Sequence, residues 1–149
     1  MKIKSFFFIA LFFLASMIVF FITNPSYEKS LEAKYFYEVG DFKQAYNLAK
    51  EAFELDPYNK MATTIMTQSQ FSLRYVRYNE EAKKYIHQIE LLVNKEQITP
   101  EDKAKIRTIT QIMIDSYTKL APSVVVDPAL IEEAKKYYQQ FQRVHEKAY

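Results

Sequence analysis

Apolar and polar positions divide this chain into one uncharged run followed by stretches of helical period. Residues 5–22, SFFFIALFFLASMIVFFI, carry no charged side chain, and serine supplies their only polar groups. Beyond them, apolar or small residues recur every three or four positions. Ala33 and Phe36 begin the pattern, and Ala45, Ala49 and Ala52 continue it with Phe42, Phe53 and Leu55. Ala62, Ile65, Met66, Ser69, Leu73 and Val76 form the next stripe, and Ala82 lies in the run that follows. Ile106, Ile109, Met113, Tyr117 and Leu120, flanked by Ile112 and Ile114, and then Leu130, Ala134, Tyr137, Phe141, Val144 and Ala148, complete the series. Three-and-four spacing is the signature of amphipathic helices, and one glycine and five prolines are too few for the many tight turns of an all-β sandwich. The pattern predicts an all-α fold.

Turn residues supply the boundaries. Asn24-Pro25, Thr99-Pro100 and Asp127-Pro128 each pair a helix cap with a first-turn proline. Gly40 can take the left-handed conformation that ends a helix, Asp41 caps the next one with Gln44 completing a capping box, and Pro57 stops it. These punctuation marks predict helical hairpins over 25–57, 59–93 and 99–149, together one domain spanning 25–149. The PSVVV segment of residues 122–126 reads as an apolar extended loop whose valines cover helix ends or offer an edge to a partner.

Residues 26–57 resemble one tetratricopeptide repeat, a helix-turn-helix unit of about 34 residues. The resemblance rests on Ala33 and Phe36, on Gly40, Asp41, Phe42 and Ala45 across the turn, and on Ala52 and Pro57 at the end. An ordinary helical hairpin is the alternative. RYNEEAKKYIHQIELL, residues 77–92, is similar to the second helix of that unit, with Ala82 in the place of Ala45 at a separation of 82 − 45 = 37. The family likeness implies a short α-solenoid of about six helices, its third hairpin acting as a terminal cap. It also implies a concave groove for a peptide or helix, lined by Ser30, Lys34, Tyr37 and Glu38 of the first unit and Thr64, Gln68 and Phe71 of the second.

The uncharged run reads as a membrane anchor. A helix over residues 5–22 would be about 27 Å long, close to the hydrocarbon thickness of a bilayer. Lys2 and Lys4 precede it, which keeps residues 1–4 in the cytoplasm and places the body on the other side. In a bacterium this describes a single-pass inner-membrane protein with a periplasmic domain. A cleaved secretory leader is the rival reading, although the only A-x-A-like stretch, Leu14-Ala15-Ser16, lies inside the run.

Composition narrows the chemistry. The chain has 20 basic and 18 acidic residues; without Lys2 and Lys4 the body balances at 18 against 18, with no basic stripe for a nucleic acid. A single glycine cannot build a phosphate-cradling loop, and the absence of cysteine excludes disulfides, thiolate metal sites and a lipoprotein anchor. His87, with Glu90 one turn on, offers too few ligands for zinc, and His145 stands on a separate helix. The sequence therefore predicts no catalytic, cofactor or metal site and no small-molecule substrate. It points to a protein-protein interaction module held at the membrane: a scaffold, adaptor, assembly factor or chaperone for a secretion, motility or respiratory complex. An integral structural subunit of such a complex is the alternative, and an enzyme the weakest reading.

Overall fold

The computed structural model describes residues 2–121 and 123–147, with side chains described for Phe6–Phe20 and from Thr23 onward. Met1 and the side chains of Lys2 and Lys4 in the expected cytoplasmic segment, Pro122 of PSVVV and Ala148 of the last stripe lie outside what is described. Among the described residues every regular element is a helix: α1 (Lys2–Thr23), α2 (Pro25–Glu38), α3 (Phe42–Leu55), α4 (Lys60–Val93), α5 (Pro100–Thr118) and α6 (Pro128–Lys147). The chain forms two compact units, Met1–Gln70 and Phe71–Tyr149.

In the first unit, α2 and α3 form the expected hairpin. Gly40 adopts φ 85°, its N–H donates to Tyr37 O at 3.2 Å, and the Asp41 N–H donates to Phe36 O at 2.9 Å. This pair of reversed bonds is the Schellman closure, which satisfies carbonyls that a helix end leaves open. Asp41 then accepts from the Gln44 N–H at 3.0 Å, capping α3. The reciprocal half of the predicted capping box is not made, because the Asp41 N–H is already committed to Phe36. Small residues draw the helices together: Ala33, Ala45 and Ala49 are buried with Leu48 and with Ile65 from α4, and Phe36, Tyr37, Met61 and Met66 pack around them. Ala52 and Phe42 are buried as well, whereas Leu55, expected in this core, is exposed at the last residue of α3.

The hairpin expected over 59–93 is instead one continuous helix, α4, of 34 residues. No glycine or proline interrupts Lys60–Val93. Asn79, the one residue near the predicted turn suited to capping, turns sideways: its amide donates to Leu130 O at 3.2 Å and to Glu133 at 3.0 Å. Ala82 is buried in mid-helix with no turn before it. The second repeat unit is therefore absent as a hairpin, although its apolar stripe is present.

The second unit packs the later part of α4 against α5 and α6, the helices of the hairpin expected over 99–149. Tyr75, Tyr78, Ala82 and Ile89 are buried with Ile106, Ile109 and Met113 of α5, Ala134 and Phe141 of α6, and Val126 of the connecting loop. Of the loop valines, Val126 covers the core while Val124 is fully exposed. Ile112, read as widening the α5 face, is half exposed. Thr99 and Asp102 form a reciprocal capping box at the start of α5, and Asp127 accepts from the Ala129 N–H at 2.8 Å to start α6.

Among the described residues no single helix is long and apolar enough to cross a membrane. By length and composition Phe6–Phe20 and Pro25–Glu38 pass together, bent by 77° at Asn24-Pro25. Every side chain from Phe6 to Phe20 is exposed, and the Phe20 ring lies 6.3 Å from that of Tyr27 on α2.

Candidate functional site

Within the first unit, α2 and the opening turns of α4 enclose an open groove of about 420 Å³ lined by Lys34, Tyr37, Glu38, Lys60, Met61, Thr64, Ile65 and Gln68. A buried polar knot places one wall against the other. Asn59 precedes α4, and its Oδ1 accepts from the Met61 and Ala62 N–H groups at 3.1 and 3.2 Å, capping the helix. Its amide donates to Ser26 O, Ser26 Oγ and Ser30 Oγ at 3.3, 2.9 and 3.1 Å. The Ser26 hydroxyl in turn donates to Ala52 O at 2.8 Å, so one buried asparagine joins α2, α3 and α4. Fully satisfied buried networks of this kind hold helices in one register.

Lys34, Tyr37, Glu38, Thr64 and Gln68, assigned to the groove from the sequence, converge there. Ser30 does not: it is completely buried in the Asn59 knot and also donates to Tyr27 O at 3.0 Å. Phe71 does not either, since it packs in the second unit with the Arg74 guanidinium 5.2 Å above its ring. Lys60, Met61 and Ile65 line the groove without having been assigned to it. The signal that would have found them is helical spacing, because residues 60, 61, 64, 65 and 68 share one face of α4.

Chemically, the groove has an apolar floor and a charged rim. Tyr37, Met61 and Ile65 supply the floor, and the Tyr37 ring is held edge-on to Phe42 with centroids 5.4 Å apart. Lys34 and Glu38 form an i,i+4 pair at 3.7 Å, both more than half exposed, which contributes little to stability. With Lys60 the rim carries two cations and one carboxylate, a net charge of 2 − 1 = +1.

Among the described residues no group of three or more histidine, aspartate or glutamate side chains could hold a metal ion. His87 Nδ1 lies 3.9 Å from Glu90, both exposed, and His145 Nδ1 is 2.8 Å from Thr110 Oγ1. No protein-family model matches this chain, and neither does any characterised protein or solved structure.

Proposed function

We propose that this protein is a membrane-anchored interaction module, in which α1 is a single-pass inner-membrane anchor and the α2–α4 groove binds a segment of an envelope protein. In this reading the body lies in the periplasm and serves as adaptor, assembly factor or chaperone for a larger secretion, motility or respiratory complex. The observation that carries it is the convergence of Tyr37, Met61 and Ile65 under a rim of Lys34, Glu38, Thr64 and Gln68. An aromatic anchor and adaptable polar groups around an apolar floor suit protein recognition. The resemblance of the sequence of residues 26–57 to a tetratricopeptide unit suggests the same use, and an adjoining anchor would raise the local concentration of the groove near membrane partners.

The test is capture from the membrane fraction with the full chain in detergent, followed by the Gln68→Arg variant, which fills the groove from a half-buried position on α4. Wild type should recover a stoichiometric envelope partner and the variant should lose it about tenfold or more. Recovery of no such partner sinks the proposal. A reporter joined at Tyr149 that is active only outside the cytoplasm tests the topology.

One observation favours a second reading, an integral structural subunit. Val124 is fully exposed in an apolar loop, the disposition of a residue covered by a neighbouring chain. That reading requires residues 25–149 alone to aggregate or lose cooperative melting; a monodisperse fragment with a sharp transition contradicts it.

A further inference from the structure

One side of α2 carries an apolar stripe that the first unit leaves uncovered. Ser26, Ser30 and Ala33 turn inward, toward α3 and Asn59. Leu31, Tyr35 and Val39, by contrast, are each more than half exposed. With the half-buried Tyr27 they recur every four residues, which sets them along one side of α2 as far as its C-cap. Large apolar side chains left open in a row mark a surface made to be covered.

Two further features of the same unit say what covers it. α1 and α2 meet at a bend of 77°, so that with α1 along the normal of a bilayer α2 lies within 90 − 77 = 13° of its plane. The Phe20 ring stands 6.3 Å from the Tyr27 ring. Phe20 lies about one turn before the end of α1 at Thr23. Tyr27 therefore points back along α1, toward the lipid, and Leu31 and Tyr35 follow on the same side.

We propose that α2 lies in the membrane interface where α1 emerges, with Tyr27, Leu31 and Tyr35 seated among the lipid headgroups and upper acyl chains. The inference rests on the reading of α1 as an anchor. Tyrosine suits that depth, because its ring is apolar and its hydroxyl stays wet. α2 holds three glutamates and two lysines, so it has no cationic excess to draw it to lipid phosphates. Apolar and aromatic burial is what holds it there. Attachment through both α1 and α2 keeps the groove at Lys34, Tyr37 and Glu38 at a fixed height on the membrane surface.

The chain contains no tryptophan, so a single one introduced by substitution reports its own surroundings. The test uses the full chain in nanodiscs of neutral phosphatidylcholine, brominated either near the headgroup or near the acyl-chain ends. Phe12→Trp reports α1, Tyr35→Trp the stripe, and Asn47→Trp an exposed position on α3. Deep bromines should quench Phe12→Trp. Shallow bromines should quench Tyr35→Trp about twofold or more beyond Asn47→Trp, as for a side chain about 5–10 Å into the interface. Leu31→Glu, at a half-exposed position that leaves the core intact, should relieve the shallow quenching of Tyr35→Trp and leave that of Phe12→Trp unchanged. An unquenched Phe12→Trp overturns the anchor and this inference with it. A quenched Phe12→Trp beside an unquenched Tyr35→Trp overturns this inference alone; blue-shifted emission from that unquenched variant would assign the stripe to a second copy or a protein partner instead. Equal quenching of Asn47→Trp, or no response to Leu31→Glu, also overturns it.

Discussion

Asn59 and Ser30 meet side chain to side chain, the asparagine amide donating to the serine hydroxyl at 3.1 Å across 29 residues of chain. The same asparagine caps α4, so it performs two tasks that a substitution can separate. Asn59→Ala removes both and should cost about 2–4 kcal/mol, combining a lost cap with an unfilled buried polar site. Asn59→Asp keeps the oxygen that accepts from Met61 and Ala62 but replaces the donor by an acceptor facing two serines. If the bridge matters more than the cap, denaturant titration of Asn59→Asp will show most of the alanine loss. Retention of wild-type stability by the aspartate variant would assign the effect to the cap alone.

The continuity of α4 makes a second prediction. Glu80 is exposed in mid-helix, close to where the repeat pattern placed a turn. A proline there should cost about 3 kcal/mol, since it removes a helix hydrogen bond and clashes with the preceding turn. Amide exchange over residues 74–84 should likewise be uniformly slow. A tolerated Glu80→Pro, or a fast-exchanging stretch near Asn79, would restore the hairpin.

Gly40 separates backbone strain from crowding. A Cβ built at this position meets nothing within 4 Å, yet the residue sits at φ +85°. Gly40→Ala should therefore lose about 1 kcal/mol, the conformational cost alone, with no further penalty for larger polar residues. Gly40→Asn should lose less, because asparagine tolerates this region. A loss of several kcal/mol in the alanine variant would mean that the space around the turn is not open.

Local chemistry was the legible part of this chain. Four helix starts carry caps read from the sequence, at Asn24, Asp41, Thr99 and Asp127, and those boundaries could be read directly because a cap acts within three residues. The failure over 59–93 came from reading a likeness in side-chain order as a likeness in path. RYNEEA follows the order of GDFKQA, but only the latter has the glycine that reverses the chain. The groove was half legible for a related reason. The resemblance to a tetratricopeptide unit implied groove positions such as Lys34 with Glu38 and Thr64 with Gln68, which do line it, whereas Ser30 is drawn inside by a long-range partner, Asn59, that no local pattern reveals.

Asp102 makes the last prediction, a dependence on acid. It accepts from Lys95 Nζ at 2.6 Å, from the Thr99 N–H at 3.1 Å and from the Thr99 hydroxyl at 2.8 Å. The Lys95 hydrogen bond first, and the two from Thr99 next, lower its carboxyl from 3.8 to about 2. Because the folded value lies below the unfolded one, the carboxylate's contribution to stability is complete above about pH 5 and fades as pH falls from about 4 toward 2. Substituting Asp102→Asn removes that dependence, so the gap in stability between wild type and variant should be widest at neutral pH and narrow toward pH 2. Lys95→Gln should raise the Asp102 value and move the fading to higher pH, which carboxyl titration by NMR reads directly. A gap that stays constant from pH 6 to about pH 2 would mean that Asp102 titrates normally and that the Lys95 contact does not form in solution.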